Sequence, residues 1–157
     1  MIHRTMKPAF TIVRRVEFSE TDMAGIMHFS NFFRFMESAE HAFFRSLGLS
    51  VAHPDTEGKL GLPRIHAQCE FKSPLRFEDE VEVQLFIEKI SRKTICYRFA
   101  LNRINPGPPK ESATGAITVI CVEKSSDGSL KAVPLPKNIE SLLKEKSCIT
   151  PTSESIT

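Results

Sequence analysis

A carboxylate and a glycine stand just ahead of a long helical pattern near the N-terminus of the chain. Asp22 and Gly25 lie in a polar stretch, and the apolar residues that follow recur at spacings of three and four between Phe32 and Leu47. A carboxylate can act as a general base or as a nucleophile, and the first turn of a helix offers free N–H groups to a developing oxyanion. The alternative is that Asp22 only caps the helix or closes an Asx turn.

Two residues between Asp22 and the helix, and two within it, have both a chemical and a structural interpretation. Gly25 permits a positive φ or a close approach of the backbone. His28 can orient Asp22 or contact a substrate, or it can simply hydrogen-bond to the backbone where the helix begins. Glu37 and Glu40 lie within the helix, where acidic side chains most often form a solvated face.

The elements that must position these residues follow from hydrophobic periodicity. The helix is predicted from Ser30 to Leu47, with Ser30 or Asn31 as N-cap and Gly48 at its C-terminal end. Because it is aromatic on more than one side, it is expected to be buried under an antiparallel sheet. Alternation predicts strands over residues 64–72, 80–90 and 94–104, and β-rich composition predicts a strand over residues 10–18. Residues 113–123 are apolar on both phases, which predicts a central strand.

The C-terminal part of the chain completes a single domain. Residues 136–146 are predicted to form a short amphipathic helix, and the Ser/Thr-rich tail 148–157 is predicted to be disordered. The pattern contains no repeat and no second domain, so residues 1–147 are expected to fold as one unit.

Composition excludes several classes of function. The formal net charge of +2 gives no general attraction to nucleic acid or anionic membrane, so an anionic ligand needs a local cluster of cations. No apolar run reaches the ~20 residues of a membrane span, and the N-terminus has no apolar signal region. The four cysteines are scattered without a CxxC pair, which predicts a cytoplasmic protein with reduced thiols and no metal site, and Cys69 is predicted to be a buried small hydrophobe.

The segment Val16–Phe32, VEFSETDMAGIMHFSNF, resembles the motif of the hotdog-fold acyl-CoA thioesterases. It is most similar to the branch of the 4-hydroxybenzoyl-CoA thioesterases and the thioesterases encoded with the Tol-Pal system. Their pattern is a strand ending in an aromatic residue, an Asp, a Gly three residues later, and aromatic or His residues that lead into the helix. The segment Glu70–Val81 is similar to their strand, proline-containing turn and acidic strand start. The resemblance covers residues 10–145 and implies an α+β hotdog fold, with an antiparallel sheet of about five strands wrapped around one long central helix.

The resemblance also implies roles for individual residues. Asp22 would be the catalytic carboxylate, supported by Gly25 and His28, and the backbone N–H of Phe29 would polarise the thioester carbonyl. Arg92 and Lys93, in the turn between two strands, would hold CoA phosphates, although charged residues also suit a solvated turn. Phe32 is expected to contact the acyl group. No cofactor is implied.

Three other interpretations remain beside this one. Hydratases of the same fold have a His five residues after the Asp, whereas His28 comes six residues after Asp22. A second thioesterase branch has a His-Gly-Gly segment and a catalytic Glu in the helix; the segment is absent here, which weighs against Glu37 and Glu40. A domain that only binds acyl-CoA would have no need of a carboxylate at the carbonyl.

The expected partners are an acyl-CoA, with an acyl-carrier protein as the alternative thioester donor, and further copies of the chain. The edge strand of a five-stranded sheet needs a partner, so a homodimer with a continuous sheet is expected, and a homotetramer is compatible with it. A Phe-rich helix suits aromatic and aliphatic acyl groups equally, so the acyl group stays open.

Overall fold

The structure is a computed structural model that describes residues 6–52, 54–55 and 57–147. The predicted disordered tail, residues 148–157, lies outside the described residues. The elements in chain order are β1 (Phe10–Arg15), a 3-10 turn (Phe18–Glu20), α1 (Ser30–Ser46), β2 (Leu60–Gly61), β3 (Arg64–Phe71), β4 (Glu80–Ile90), β5 (Thr94–Asn105), β6 (Lys110–Ile120), β7 (Val122–Lys124), β8 (Leu130–Ala132) and α2 (Lys137–Lys146).

The main sheet has five strands in the order β1-β4-β5-β6-β3, and every neighbouring pair is antiparallel. Helix α1 packs against the inner face of this sheet, as the helical pattern predicted. Its buried aromatic residues are Phe32, Phe35, Phe43 and Phe44. The short strands β2, β7 and β8 form a second sheet.

Close packing between α1 and the sheet depends on Gly115 in β6. A Cβ atom added at Gly115 would collide with the Sδ and Cε atoms of Met36 on α1. Met36 is fully buried, so it has little room to move away. A glycine here therefore lets the helix approach the middle of the sheet, a role the sequence analysis did not identify.

Three predictions about the ends of elements were wrong. The strand predicted over residues 113–123 runs instead from Lys110 to Ile120, and Val122–Lys124 forms the separate strand β7. The first strand ends at Arg15 rather than at residue 18, because Glu17 and Glu20 form a reciprocal capping box that turns the chain into the 3-10 turn. Neither Ser30 nor Asn31 is the N-cap of α1. Phe29 occupies that position with helical dihedrals, φ −54° and ψ −32°, and its side chain makes no capping hydrogen bond.

The two ends of the sheet are separated by the length of β4. Glu80 pairs with Arg15 and with Asn105 at one end, and Ile90 pairs with Ile95 at the other. An 11-residue strand is roughly 33 Å long at about 3.3 Å per residue. The loop of Asp22 follows β1 and therefore belongs to the Glu80 end, whereas the turn between β4 and β5 belongs to the Ile90 end.

Strand β3 forms an edge of the main sheet and is poorly covered. Cys69 pairs with Gly115, whose inner side faces α1, so Ala67, Cys69 and Phe71 point to the helix side of the sheet. Helix α1 does not cover them fully: Phe71 is 53% exposed, and Cys69 is only half-buried instead of buried as predicted. Ile65, which lies at a shift of register between Arg64 and His66, is 58% exposed. Among the described residues, β3 pairs with β6 alone, so one side of its backbone is open.

Candidate active site

The segment from Asp22 to Met27 is a tight hairpin-like loop. The Asp22 N–H donates to the Ile26 carbonyl at 2.9 Å, and the Gly25 N–H donates to the Asp22 carbonyl at 3.0 Å. Gly25 has a φ of +76°, and a Cβ added there would meet no atom within 4 Å. Of the two uses predicted for Gly25, the structure shows the positive φ and not the close approach.

The Asp22 side chain has one oxygen bound and one free. Its Oδ1 accepts the Ala24 N–H at 2.8 Å, which is the Asx turn considered as the structural interpretation. Among the described residues, no group donates to Oδ2. Over the described residues, Asp22 does not cap α1, since its side-chain hydrogen bond is with the Ala24 N–H. The Asx bond therefore orients the carboxylate and leaves its second oxygen available for water or substrate.

Helix α1 begins five residues after Gly25, and a backbone donor without an acceptor lies just before it. Within the described part of the chain, no group accepts a hydrogen bond from the Phe29 N–H. The N–H groups of Asn31 and Phe32 donate to the carbonyls of His28 and Phe29, at 2.9 and 3.3 Å. The Phe29 N–H thus has the free donor that the oxyanion role requires, beside the positive end of the helix dipole.

His28 contacts the start of the helix and not Asp22. Its Nδ1 lies 2.8 Å from Ser30 Oγ and 3.3 Å from the Ser30 nitrogen, and its ring lies 4.6 Å from that of Phe29. The described residues show no hydrogen bond between His28 and Asp22. The side chain is exposed and lines the same cleft as Asp22. The predicted orientation of Asp22 by His28 therefore has no contact behind it, whereas contact of His28 with a substrate stays a prediction.

An open cleft of about 720 Å³ joins the loop to the helix. Asp22, Ser30 and Asn31 line it together with the apolar side chains of Phe18 and Met23. Phe18 is 75% exposed although its ring packs edge-on against Phe77, and Met23 is fully exposed. A cleft lined by both polar side chains and exposed apolar side chains suits a ligand that combines a reactive polar group with an apolar group.

Sequence reasoning missed the residues that fix the base of this loop. The Glu20 carbonyl accepts hydrogen bonds from the His28 N–H and from Asn31 Nδ2, and the Glu20 carboxylate pairs with Arg14 at 2.9 Å. The acidic residue three positions after Glu17 was the available signal, because that spacing is typical of a capping box. The partners Arg14 and Asn31 are tertiary contacts that no local pattern predicts.

The proposed substrate-binding residues are dispersed. Phe32 is 4% exposed and packs edge-on against Phe71 at 5.0 Å between ring centroids, so it belongs to the core and Phe71 presents the accessible aromatic surface. The backbone carbonyls of Arg92 and Lys93 accept the N–H groups of Leu135 and Cys121. These bonds fix the turn at the end of the sheet opposite Asp22.

Glu37 and Glu40, the candidates of the second thioesterase branch, form a cluster with Arg64. Arg64 Nη2 lies 3.0 Å from Glu40 Oε1 and 3.4 Å from Glu37 Oε1. Glu40 is fully buried, and burial outweighs the attraction of Arg64, which raises the pKa of Glu40 to about 7. Its Oε2 and the buried Tyr97 hydroxyl have no partner among the described residues. A carboxylate that is fully buried in the core is not accessible to a thioester substrate.

The cysteines show no sign of catalytic use. Burial, and then the charge of Glu70, raises the pKa of Cys69 to about 11, so its thiol is a poor nucleophile at neutral pH. Cys69, Cys96 and Cys121 are free.

Over the described ranges, no three His, Cys, Asp or Glu side chains are placed to hold a metal ion. No described helix is long and apolar enough to cross a membrane.

Comparison with known proteins gives consistent results. A protein of Aquifex aeolicus (strain VF5), named as an esterase of unproven activity, is 35% identical over 136 residues, which are 87% of this chain and 98% of that protein. The 4-hydroxybenzoyl-CoA thioesterase of Pseudomonas sp. (strain CBS-3) is 24% identical over 133 residues, 83% of this chain and 94% of the relative. The solved dynemicin thioesterase superposes with a TM-score of 0.79 at 25% identity, covering 89% of this chain and 98% of that one.

Residues 16–143 match the thioesterase-like superfamily, a span that includes the Asp22 loop, α1 and the whole main sheet apart from β1. These matches confirm the predicted hotdog fold and the predicted enzyme class, a thioester hydrolase. The chain belongs to the thioesterase-like superfamily.

Proposed function

We propose that this protein hydrolyses acyl-CoA thioesters at the cleft beside Asp22. The observation that carries the proposal is the free Oδ2 of Asp22 in a cleft that also reaches the N-terminus of α1, where the Phe29 N–H has no acceptor among the described residues. The names of the relatives, which include CoA thioesterases, support an acyl-CoA as substrate.

In the general-base form of the reaction, Asp22 takes a proton from water as the water oxygen attacks the thioester carbonyl. The negative charge that develops on the carbonyl oxygen is stabilised by the Phe29 N–H and the helix dipole. The C–S bond then breaks, the CoA sulfur receives the proton, and the free acid leaves. In the nucleophilic form, an Asp22 oxygen attacks the carbonyl, the C–S bond breaks and CoA leaves as the thiolate, which takes up a proton. Water then hydrolyses the mixed anhydride, which releases the free acid and restores the Asp22 carboxylate.

The direct test is a panel of acyl-CoA and acyl-carrier-protein thioesters assayed for thiol release. We expect free thiol and free acid from at least one aromatic or medium-chain acyl-CoA. A change in unsaturation with the thioester intact would instead indicate a hydratase; the contact of His28 with Ser30 rather than with Asp22 speaks against that outcome. Tight binding of every acyl-CoA without thiol release would indicate a non-catalytic binding domain.

We also propose that the active form is a homodimer paired through β3. This strand is an eight-residue edge with one open backbone side and exposed apolar residues, a surface on which a second strand would pair. A two-fold axis that pairs β3 with its copy makes the two strands antiparallel. Because β3 runs from the Ile90 end of the sheet to the Glu80 end, this pairing brings the Ile90 end of one subunit to the Glu80 end of the other.

The proposed dimer would place the phosphate-binding residues of one subunit near Asp22 of the other. Arg92 and Lys93 lie roughly 33 Å from the Asp22 end within one chain, if measured along β4. In the antiparallel dimer, Arg92 and Lys93 of the partner subunit come toward the cleft. The proposal is therefore that each site takes its carboxylate from one subunit and its phosphate-binding cations from the other.

Mixed dimers test the assignment. An Asp22→Asn subunit paired with an Arg92→Ala subunit holds one site with Asp22 from one chain and Arg92 from the other. If the site is shared, this dimer has half the wild-type kcat at the wild-type KM. If the site lies within one chain, the only active site lacks Arg92 and the KM stays as high as in the Arg92→Ala homodimer. A monomer by light scattering at micromolar concentration would contradict the dimer itself.

The cellular location that we propose is the cytoplasm. Free thiols at Cys69, Cys96 and Cys121 agree with a reducing compartment. Fractionation of cells that produce the untagged protein would test this.

A further inference from the structure

Two hydrogen bonds meet on one carbonyl oxygen beneath the Asp22 loop. The Glu20 carbonyl accepts the His28 N–H at 2.9 Å, which closes the base of the loop. It also accepts Asn31 Nδ2 at 2.8 Å. Asn31 belongs to the first turn of α1, so its side chain links the 3-10 turn that ends just before Asp22 to the helix whose N-terminus faces the cleft.

Glu20 is held from the opposite side as well. Its Oε1 pairs with Arg14 Nη2 at 2.9 Å and its Oε2 accepts the Glu17 N–H at 2.9 Å. Arg14 in turn donates to Ser38 Oγ at 3.1 Å and lies over the Phe35 ring at 4.1 Å. The Glu20 side chain is therefore held by Arg14 of β1, which also contacts α1. The Asn31 amide binds the Glu20 carbonyl directly to the first turn of α1, and so fixes the start of the Asp22 loop relative to the helix.

We propose that Asn31 is a positioning residue of the thioesterase site, an inference that rests on the proposed function of Asp22. Asn31 is almost fully buried, at 9% exposed, and its backbone N–H donates to the His28 carbonyl. The Glu20 carbonyl can only accept, so the NH₂ group of Asn31 must face it. Through these two bonds, Asn31 fixes both the residue two positions before Asp22 and the residue just before Phe29.

The consequence concerns geometry and not affinity. Asp22 and the Phe29 N–H act on the same carbonyl group, so their separation must be kept to a fraction of an ångström for the reaction to proceed at full rate. Asn31 also lines the cleft, and an Asp of the same size keeps that lining while losing the bond to Glu20, which lets the loop drift relative to the helix. For Asn31→Asp we therefore expect a defect in kcat with little change in KM.

The test uses Asn31→Asp, which keeps the shape and replaces the donor by an acceptor, and Asn31→Ala, which removes the side chain. Both should lower kcat by about 10- to 100-fold, the range that a misplacement of about 1 Å produces. The matched control is Ser46→Ala, which removes the Ser46 hydroxyl bond to the Phe43 carbonyl at the other end of α1 and should keep kcat at the wild-type value.

Amide hydrogen exchange gives a readout that does not depend on activity. If Asn31 positions the loop, Asn31→Asp should speed exchange at residues 22–28 and leave the later turns of α1 unchanged. A purely structural role would speed exchange over the whole helix. Should the wild-type protein release no thiol from any thioester, the proposed function fails, while the exchange pattern still decides whether Asn31 holds the loop.

A double variant tests whether Asn31 acts through Asp22. In an Asp22→Asn background, adding Asn31→Asp should change the residual rate by less than about 3-fold, because two residues that act through the same group are not additive. Multiplication of the two defects would show that Asn31 acts independently of Asp22 and would overturn the proposal. So would a kcat for Asn31→Asp within about 2-fold of wild type.

Discussion

Two carboxylates near α1 differ in what surrounds them. Glu40, in the middle of the helix, has a raised pKa of about 7, a feature that often marks an active-site acid. It is nevertheless fully buried and paired with Arg64. Asp22 lies in the loop before the helix with one oxygen free and a cleft of about 720 Å³ beside it. Access to substrate, rather than a shifted pKa, therefore separates the catalytic candidate from the structural one.

The Glu40 region and the Asp22 region also differ in their contacts with the rest of the fold. The Glu40 region joins the helix to the edge strand through Arg64, whose Nη1 donates to the Leu62 carbonyl at 3.2 Å. The Asp22 region is held by backbone bonds and by Glu20, and it exposes Phe18 and Met23 to solvent. The buried Glu40 region stabilises the fold, and the exposed Asp22 loop is held in place by its hydrogen bonds. Functional sites are commonly formed in this way, by a loop positioned on a stable scaffold.

The largest expected effect comes from Asp22→Asn. The amide keeps an oxygen that can accept the Ala24 N–H, so the loop and the stability should change little. The base and nucleophile are lost, so kcat should fall about 10²- to 10⁴-fold. Binding of a non-hydrolysable acyl-CoA analogue, measured by calorimetry, should stay near wild type. A variant that is silent in kcat would return Asp22 to a purely structural role.

The next effect is on stability and comes from Glu40. Its folded-state pKa is raised from 4.5 to about 7 because the charged form is buried. The folded protein therefore binds the proton more tightly than the unfolded chain, so the favourable contribution is fully present below pH 4.5 and is lost as the pH rises through about 7. The free energy of unfolding should fall by on the order of 3 kcal/mol over this window through Glu40.

Glu40→Gln should remove this contribution. Denaturant unfolding at a series of pH values between 4.5 and 8 would show the wild-type protein losing stability relative to the variant, and kcat of the variant at neutral pH should remain close to wild type. If Glu40→Gln lost as much activity as Asp22→Asn, the catalytic assignment would move into the helix despite the burial of Glu40.

A smaller effect is expected for Arg92→Ala. A phosphate contact is the same in the ground and transition states, so the KM for acyl-CoA should rise about 10-fold with kcat mostly unchanged. Short pantetheine thioesters, which lack the CoA phosphates, should show no change. Lys110→Ala is the matched control, because this exposed cation begins β6 at the Asp22 end of the sheet within one chain. A KM effect at Lys110 instead of Arg92 would contradict the shared site.

Periodicity predicted the elements of the fold because each one buries a regular face. Helix α1 and strands β4 and β5 lie within one or two residues of their predicted bounds. The same reasoning failed at β3, where alternating apolar residues indicated a buried face. Helix α1 stops short of this edge, which leaves Phe71 exposed, and a shift of register between Arg64 and His66 takes Ile65 out of the alternation. An alternating pattern cannot show whether the chain itself or a second copy covers an apolar face.

At the site, the motif predicted the loop of Asp22 ahead of the helix, the positive φ of Gly25 and a backbone donor at Phe29 that has no acceptor among the described residues, all of which depend on local backbone geometry. The catalytic role of Asp22 stays a prediction. The anchoring of the loop could not be predicted, because Arg14 and Asn31 reach Glu20 from different elements. The orientation of His28 toward Ser30 was equally hidden, since a histidine before a helix has several partners within reach. Tertiary contacts of polar side chains carry little signal in a single sequence.

The smallest expected effect is that of Glu37→Gln, and it tests the comparison most cleanly. Glu37 lies one turn before Glu40 on the solvent side of the helix, 3.7 Å from His41 Nε2 and 3.4 Å from Arg64 Nη2. Exposed ion pairs contribute at most about 1 kcal/mol, so the midpoint of thermal unfolding should move by a few degrees or less. Thiol release should be unchanged, because Glu37 does not line the Asp22 cleft. A loss of kcat of more than about 10-fold at constant stability would show that an accessible helix carboxylate does the chemistry. That result would place the protein with the thioesterase branch that uses a helix Glu, and Asp22 would then have only the Asx turn to explain it.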